Sequence, residues 1–118
     1  MAILVTGAAG FIGATLSKVL LHRGDAVVGL DSLNDYYDVA LKRARLERLE
    51  ALPTFTFERG DIADRGVLPE LFNKHQIHAV IHLAAQAGVR YSMENPAAYI
   101  DANLVGFGNI LEAVRQAD

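Results

Sequence analysis

The sequence contains no cysteine, which excludes a disulfide framework and any thiolate metal site. No run approaches eighteen consecutive apolar residues, so no membrane span is expected. No basic region precedes the short apolar run at the N-terminus, so a signal peptide is not expected either. An excess of positive charge is also missing: 11 Lys and Arg against 14 Asp and Glu give a net charge of −3. With a pI near 5.7, the chain has no basic footprint for nucleic acid. There are no repeats, low-complexity tracts or linker-like stretches. What remains is one globular domain, 118 residues long and 52% hydrophobic, large enough to bury a core. The cytoplasm is its expected compartment.

The phosphate signature of nucleotide hydrolases is absent too. It requires G-x-x-x-x-G-K-[ST], whereas Gly7 and Gly13 are six apart and Ala14 stands where lysine belongs. What stands there is an apolar run, Ile3, Leu4 and Val5, broken at Gly7, with glycines recurring at Gly10 and Gly13 and an amphipathic segment following at once. A strand that ends in a glycine-rich turn and opens a helix offers backbone N–H groups and a helix dipole to a pyrophosphate. Gly7 permits the tight turn, Gly10 the close approach of phosphate, and Gly13 the close packing of helix on strand.

Asp31 ends a second apolar run, 26–30, eighteen residues after Gly13. A carboxylate there accepts hydrogen bonds from both ribose hydroxyls of an adenosine. It also repels a 2′-phosphate: two charges about 4 Å apart at an effective dielectric near 20 cost about 4 kcal/mol, on the order of a thousandfold in affinity. Neither the glycine turn nor Ser32-Leu33 supplies an arginine to offset this, so NAD is the expected cofactor. The competing reading of Asp31 is a cap of the following loop.

Strand and helix patterns alternate along the whole chain. Strands are expected at 2–6, 26–30, 55–58 and 79–83. A helix over 11–23, with Ile12, Leu16, Val19 and Leu20 inside, is stopped by Gly24. After a polar loop at 31–37, a second helix over 39–51 exposes Lys42, Arg43, Arg45 and Arg48, a charge run that reads as a solvated face. Gly60-Asp61-Ile62 follows the third strand, and Asp64 caps a short helix with Val67, Leu68, Leu71 and Phe72 inside. The last helix, 96–117, starts with Asn95 as cap and Pro96 in its first turn, and carries Tyr99, Ile100, Leu104, Phe107, Leu111 and Val114 on an apolar stripe. This β-α repeat predicts an α/β fold: a Rossmann-like, doubly wound parallel sheet in the order 3-2-1-4. It stops after the fourth strand and its helix, leaving that strand as an edge. The chain is therefore expected to be the N-terminal fragment of a longer protein, or else to hide those surfaces by self-association.

Thr6-Gly7-x-x-Gly10-x-x-Gly13, Asp31, Gly60-Asp61-Ile62 and His82-Leu83-Ala84-Ala85 occur in the order and spacing of extended short-chain dehydrogenases/reductases, and the chain resembles their N-terminal half over its full length. Within that family it is similar to the NAD-dependent nucleoside-diphosphate-sugar epimerases. Leu33-Asn34-Asp35-Tyr36-Tyr37 and Ala87-Gly88-Val89-Arg90-Tyr91-Ser92 resemble UDP-glucuronate 4-epimerases in particular. The resemblance implies cofactor contacts from Gly7, Gly10, Phe11, Ile12, Gly13, Asp31 and Asn34. It implies an adenine contact from Asp61 and the Ile62 backbone, and a cofactor floor at Leu83, Ala84 and Ala85. Asn103 would support the catalytic site and Arg90 would bind the sugar nucleotide. Rival readings are a turn at Asp61, a core asparagine at Asn103 and a surface ion pair at Arg90. His82 reads as a core histidine; His22, His75 and His78 read as surface residues; no metal site is expected.

The family's Tyr-x-x-x-Lys pair is lacking: Tyr36, Tyr37, Tyr91 and Tyr99 are followed four places on by Ala40, Leu41, Asn95 and Asn103. The resemblance therefore implies a cofactor half without the acid–base half or a substrate domain, inactive on its own. In the complete enzyme it implies oxidation at sugar C4, rotation of the 4-keto intermediate and re-reduction. A sugar-nucleotide 4,6-dehydratase shares this half, and a non-catalytic dinucleotide-binding module is the reading outside enzymology. A homodimer through helix 96–117 is the expected assembly.

Overall fold

The computed structural model describes residues 2–34, 38–85 and 93–117. Four parallel strands, β1 (Ala2–Thr6), β2 (Ala26–Asp31), β3 (Phe55–Arg59) and β4 (Ile77–His82), form one sheet in the order β3-β2-β1-β4. This is the predicted order. Register is continuous from Ala2↔Ala26 to Thr6↔Leu30 and from Val27↔Phe55 to Asp31↔Arg59, while β1 meets β4 with one irregularity between Ala2 and Ile3. The strand order reverses at β1, so a crevice opens where β1 and β4 both end, at Gly7 and Leu83.

Helices α1 (Phe11–His22) and α2 (Val39–Glu50) cover one face; α3 (Val67–Lys74) and α5 (Gly106–Ala117) cover the other. The alternation of strand side chains sorts the core accordingly. Ile3, Val5 and Val27 meet Leu20, Leu21, Leu46 and Leu49, whereas Leu4, Val28 and Leu30 meet Leu68, Leu71, Ile110 and Ala113. Gly24, at φ +102, ends the first helical segment as expected, its N–H donating to the Leu21 carbonyl at 3.1 Å. No helix among the described residues is long and apolar enough to cross a membrane.

Several sequence expectations are corrected. The buried face of α1 is Gly13, Ser17, Leu20 and Leu21, not the face of Ile12 and Val19, both of which are exposed. The cause is Gly13: a Cβ there would lie 2.1 Å from the Gly7 carbonyl oxygen, so the helix lies too close to the turn for a larger residue. Asp64 does not cap α3; its Oδ1 accepts from the Gly66 N–H at 2.9 Å in a turn ahead of the helix, which has no side-chain cap. β4 starts two residues earlier than the apolar run suggests, because Ile77 pairs with Ala2. His75 is half-buried rather than a surface residue, since Glu58 holds its Nε2 at 2.9 Å.

The last helix is not uniform. α4 (Pro96–Ile100), capped by the Asn95 side chain on the Ala98 N–H at 3.3 Å, runs into a π-helical turn, Asp101–Val105, and then into α5. The wide turn is closed by the Gly106 N–H donating to the Asp101 carbonyl. The buried face of α5 is small, Gly106, Ile110 and Ala113, and the apolar stripe read from the sequence points outward.

Candidate functional site

A cavity of about 960 Å³ occupies the crevice at the C-terminal ends of the strands. Gly7, Gly10, Phe11, Ile12, Gly13, Asp31, Asn34, Asp61, Ile62, Leu83, Ala84 and Ala85 all line it. These are the twelve positions singled out for a cofactor, drawn from four separate stretches of sequence. Arg90, the proposed substrate contact, and Asp35, Tyr36 and Tyr37 lie outside the described residues, as do 86–92 as a whole.

The turn after β1 is self-contained. Gly7 sits at φ +71, where a glycine is favoured, and its N–H and that of Ala8 donate to the Leu30 carbonyl at 2.8 and 3.2 Å. The Gly10 N–H donates to the Gly7 carbonyl at 3.0 Å, and the Ala9 N–H to Asp31 Oδ2 at 3.0 Å. The first hydrogen bond of α1 runs from the Ala14 N–H to the Gly10 carbonyl at 2.9 Å. The amides of Phe11, Ile12 and Gly13 lie ahead of it and have no acceptor within the helix. Turn amides are spent on the fold while first-turn amides remain for an anion.

Asp31 is 8% exposed and held on three sides. Besides Ala9, the Leu33 N–H donates to its Oδ1 at 2.8 Å, and Lys42 Nζ stands 3.7 Å from the same oxygen. Leu33 adopts φ +56 to present that amide, a left-handed conformation unusual for a buried leucine. A carboxylate has about four acceptor positions, so two remain for a ribose diol.

Lys42 corrects the reading of α2 as a solvated cationic face: it is only 7% exposed, and with Arg45, which is half-buried, it lines the cavity. Arg43 and Arg48 are exposed as expected. Arg45 Nη1 donates to the Ala9 carbonyl at 3.2 Å, and its guanidinium lies 5.9 Å from the centre of the Phe11 ring. The signal for Lys42 was present in the sequence. It shares the i, i+4, i+7 stripe of Leu46 and Leu49 that faces the core.

Asp61 makes the turn of its rival reading, its Oδ1 accepting from the Ala63 N–H at 2.9 Å, and also lines the cavity. Behind it, Asn109 Nδ2 donates to the Ile62 carbonyl at 2.7 Å, a fixing contact the sequence did not suggest. Thr6 holds the floor. Its Oγ1 accepts from the Leu83 and Ala84 N–H groups at 2.9 and 3.1 Å, and stands 2.7 Å from His82 Nδ1. With both lone pairs occupied, the hydroxyl proton is left for Nδ1, which assigns the Nε2–H tautomer to His82. His82 also stacks on Phe107, with centroids 5.6 Å apart, and burial holds its pKa below the ordinary value. Asn103 lies in the π-helical turn and is exposed, not a core residue; Ala98, Asp101 and Ala102 are the cavity-lining residues of that helix. No cluster of three or more metal-ligating side chains occurs among the described residues.

A model of the family described as GDP-mannose 4,6 dehydratase matches residues 4–118. The chain is 53% identical over 116 residues to UDP-glucuronate 4-epimerase 3 of Arabidopsis thaliana, covering 98% of this chain and 27% of that protein. It is 51% identical over 115 residues to protein CapI of Staphylococcus aureus, covering 98% and 34%. Among solved structures, UDP-glucuronic acid 4-epimerase of Bacillus cereus, in complex with UDP-glucuronic acid and NAD, superposes with a TM-score of 0.84 at 38% identity over 96% of this chain and 36% of that one. UDP-glucose 4-epimerase of Thermus thermophilus, in complex with NAD, gives 0.81 at 37% identity over 99% and 34%. The chain thus spans about a quarter to a third of the length of these curated relatives.

Proposed function

The chain belongs to the GDP-mannose 4,6 dehydratase family, and from that premise we propose that it is the NAD-holding part of a nucleotide-sugar 4-epimerase. The observation that carries the reading is the convergence of twelve residues from four sequence stretches on one cavity. The cavity fits a dinucleotide. A Cβ at Gly7 would press on the Leu83 and Ala84 backbone at 3.0 Å, so the turn after β1 and the segment after β4 meet this closely at the crevice only without a side chain there, and the amides at the start of α1 have no acceptor within the helix.

In this reading the amides of Phe11, Ile12 and Gly13 bind the diphosphate, and Asp31 accepts the ribose hydroxyls. Asp61 and the Ile62 backbone hold adenine, Leu83, Ala84 and Ala85 form the floor beneath the nicotinamide end, and Asn34 closes the ribose side. Asn103 supports the proton-handling group from the π-helical turn, and Arg90 binds the sugar nucleotide. NAD, when bound, supplies reversible hydride acceptance at sugar C4. The chain's own residues bind and orient; the acid–base pair and the substrate domain belong to other parts of the longer protein. UDP-sugar relatives at about half identity favour UDP-glucuronate as substrate, a cytoplasmic setting accords with a sequence free of cysteine, and the exposed stripe on helix 96–117 supports a homodimer.

Offering a panel of UDP-sugars to the full-length protein and reading the product by NMR tests this. Inversion at C4 is expected; no inversion for any sugar contradicts it. The family description favours a second reading, 4,6-dehydration, which the same assay separates by its 4-keto-6-deoxy product.

A further inference from the structure

Asp31 does more than face a ribose: it fills an anion site that the protein itself builds. Two backbone donors, Ala9 N–H at 3.0 Å and Leu33 N–H at 2.8 Å, point at its oxygens, and the nearly buried Lys42 ammonium stands beside them. At 3.7 Å, Lys42 is paired by charge with Asp31 but is too distant for a hydrogen bond, and its Nζ has no hydrogen-bond partner among the described residues. One turn along the same helix, Arg45 spends one of its five N–H donors on the Ala9 carbonyl and also lines the cavity. One nearly buried cation and two amides around one carboxylate, with a second cation lining the same cavity, make a phosphate-binding set with an acidic plug in it.

We propose that Lys42 and Arg45 make the adenosine end of this cavity a latent site for a 2′-phosphorylated dinucleotide, closed by the Asp31 carboxylate alone. The inference rests on the reading of the cavity as a dinucleotide site. It also alters the ground on which NAD is preferred. The glycine turn and Ser32-Leu33 offer no arginine to offset Asp31; the structure instead sets Lys42 beside it and brings Arg45 into the same cavity, so discrimination hangs on a single side chain. Remove that carboxylate, and the Ala9 and Leu33 amides with Lys42 and Arg45 are left to a 2′-phosphate carrying nearly two negative charges.

Calorimetric titration of the full-length protein with NAD and with NADP tests the proposal. Wild type is expected to bind NAD at least about a hundredfold more tightly than NADP. Asp31→Ser is expected to reverse the order, binding NADP about tenfold more tightly than NAD. Adding Lys42→Met to that variant is expected to abolish the NADP preference. Should Asp31→Ser fail to fold, Asp31→Asn, which keeps the side-chain shape and one oxygen acceptor, is expected to move the ratio in the same direction. NAD binding by wild type without any gain of NADP in a folded variant overturns this inference alone, as does an NADP preference that survives Lys42→Met. Wild-type protein that binds neither dinucleotide overturns the reading of the cavity and this inference with it.

Discussion

Single residues decide whether the crevice exists. Gly13 has no room for a methyl group, because a Cβ would lie 2.1 Å from a carbonyl oxygen of the backbone. Gly13→Ala is expected to cost about 3 kcal/mol, read as a lower urea midpoint, and to remove dinucleotide binding by pushing α1 off the turn. His82 adds a pH dependence. Its folded pKa is lowered by burial, so the unfolded chain binds the proton more readily. Stability is then complete above the ordinary value of 6.5 and declines as pH falls below it. Urea midpoints measured from about pH 8 to about pH 5 are expected to fall, and His82→Gln to flatten that part of the profile. A separate loss belongs to Glu58, whose carboxyl the Lys74 ammonium and the His75 ring hold low; that loss begins only as pH drops below its ordinary 4.5. The glycines and Asp31 were legible in the sequence because backbone geometry and charge leave few alternatives there. Lys42 was not, since a cation among other cations reads as solvated until its place on the Leu46–Leu49 stripe is weighed.

Elements show where local pattern is enough and where contact overrides it. Strand order followed from alternating periodicity and the reach of β-α-β connections, and the structure has it. The inner face of α1 did not follow, because apolar side chains were taken to point inward. The helix instead buries Gly13 and Ser17 against the sheet and turns Phe11 and Ile12 to the cavity. The π-helical turn left no mark in the periodicity, since one wide turn shifts the stripe by a single residue. α5 docks through two contacts that no pattern reveals. Gly106 lets the helix approach Ile62, where a Cβ would lie 2.6 Å from Ile62 Cδ1, and Asn109 binds the Ile62 carbonyl. Asn109→Ala is expected to cost about 1–2 kcal/mol, measured by thermal melting. It is also expected to weaken ADP binding more than nicotinamide mononucleotide binding, since the proposed function sets the Ile62 backbone against adenine.

At the scale of the whole molecule, the sheet ends in β4 with no further strand paired to it among the described residues, and α4 to α5 expose Ile100, Leu104, Phe107, Leu111 and Val114. Apolar surface aligned along one helix favours a partner. Sedimentation of the full-length protein is expected to show a dimer, and Leu104→Glu with Leu111→Glu to convert it to monomer without lowering the melting temperature of the monomer fold. At this scale the sequence conveyed both the excess of apolar surface and the stripe that carries it, since Ile100, Leu104, Phe107, Leu111 and Val114 of that stripe are the exposed residues.

The proposed function depends on a dinucleotide seated with its diphosphate at the opening of α1. A crystal structure of the full-length protein grown with saturating NAD measures this directly. It is expected to show diphosphate oxygens within hydrogen-bonding distance of the Phe11 and Ile12 amides and the adenosine ribose on Asp31. An ordered fold with this crevice vacant, or with the dinucleotide bound elsewhere, would contradict it.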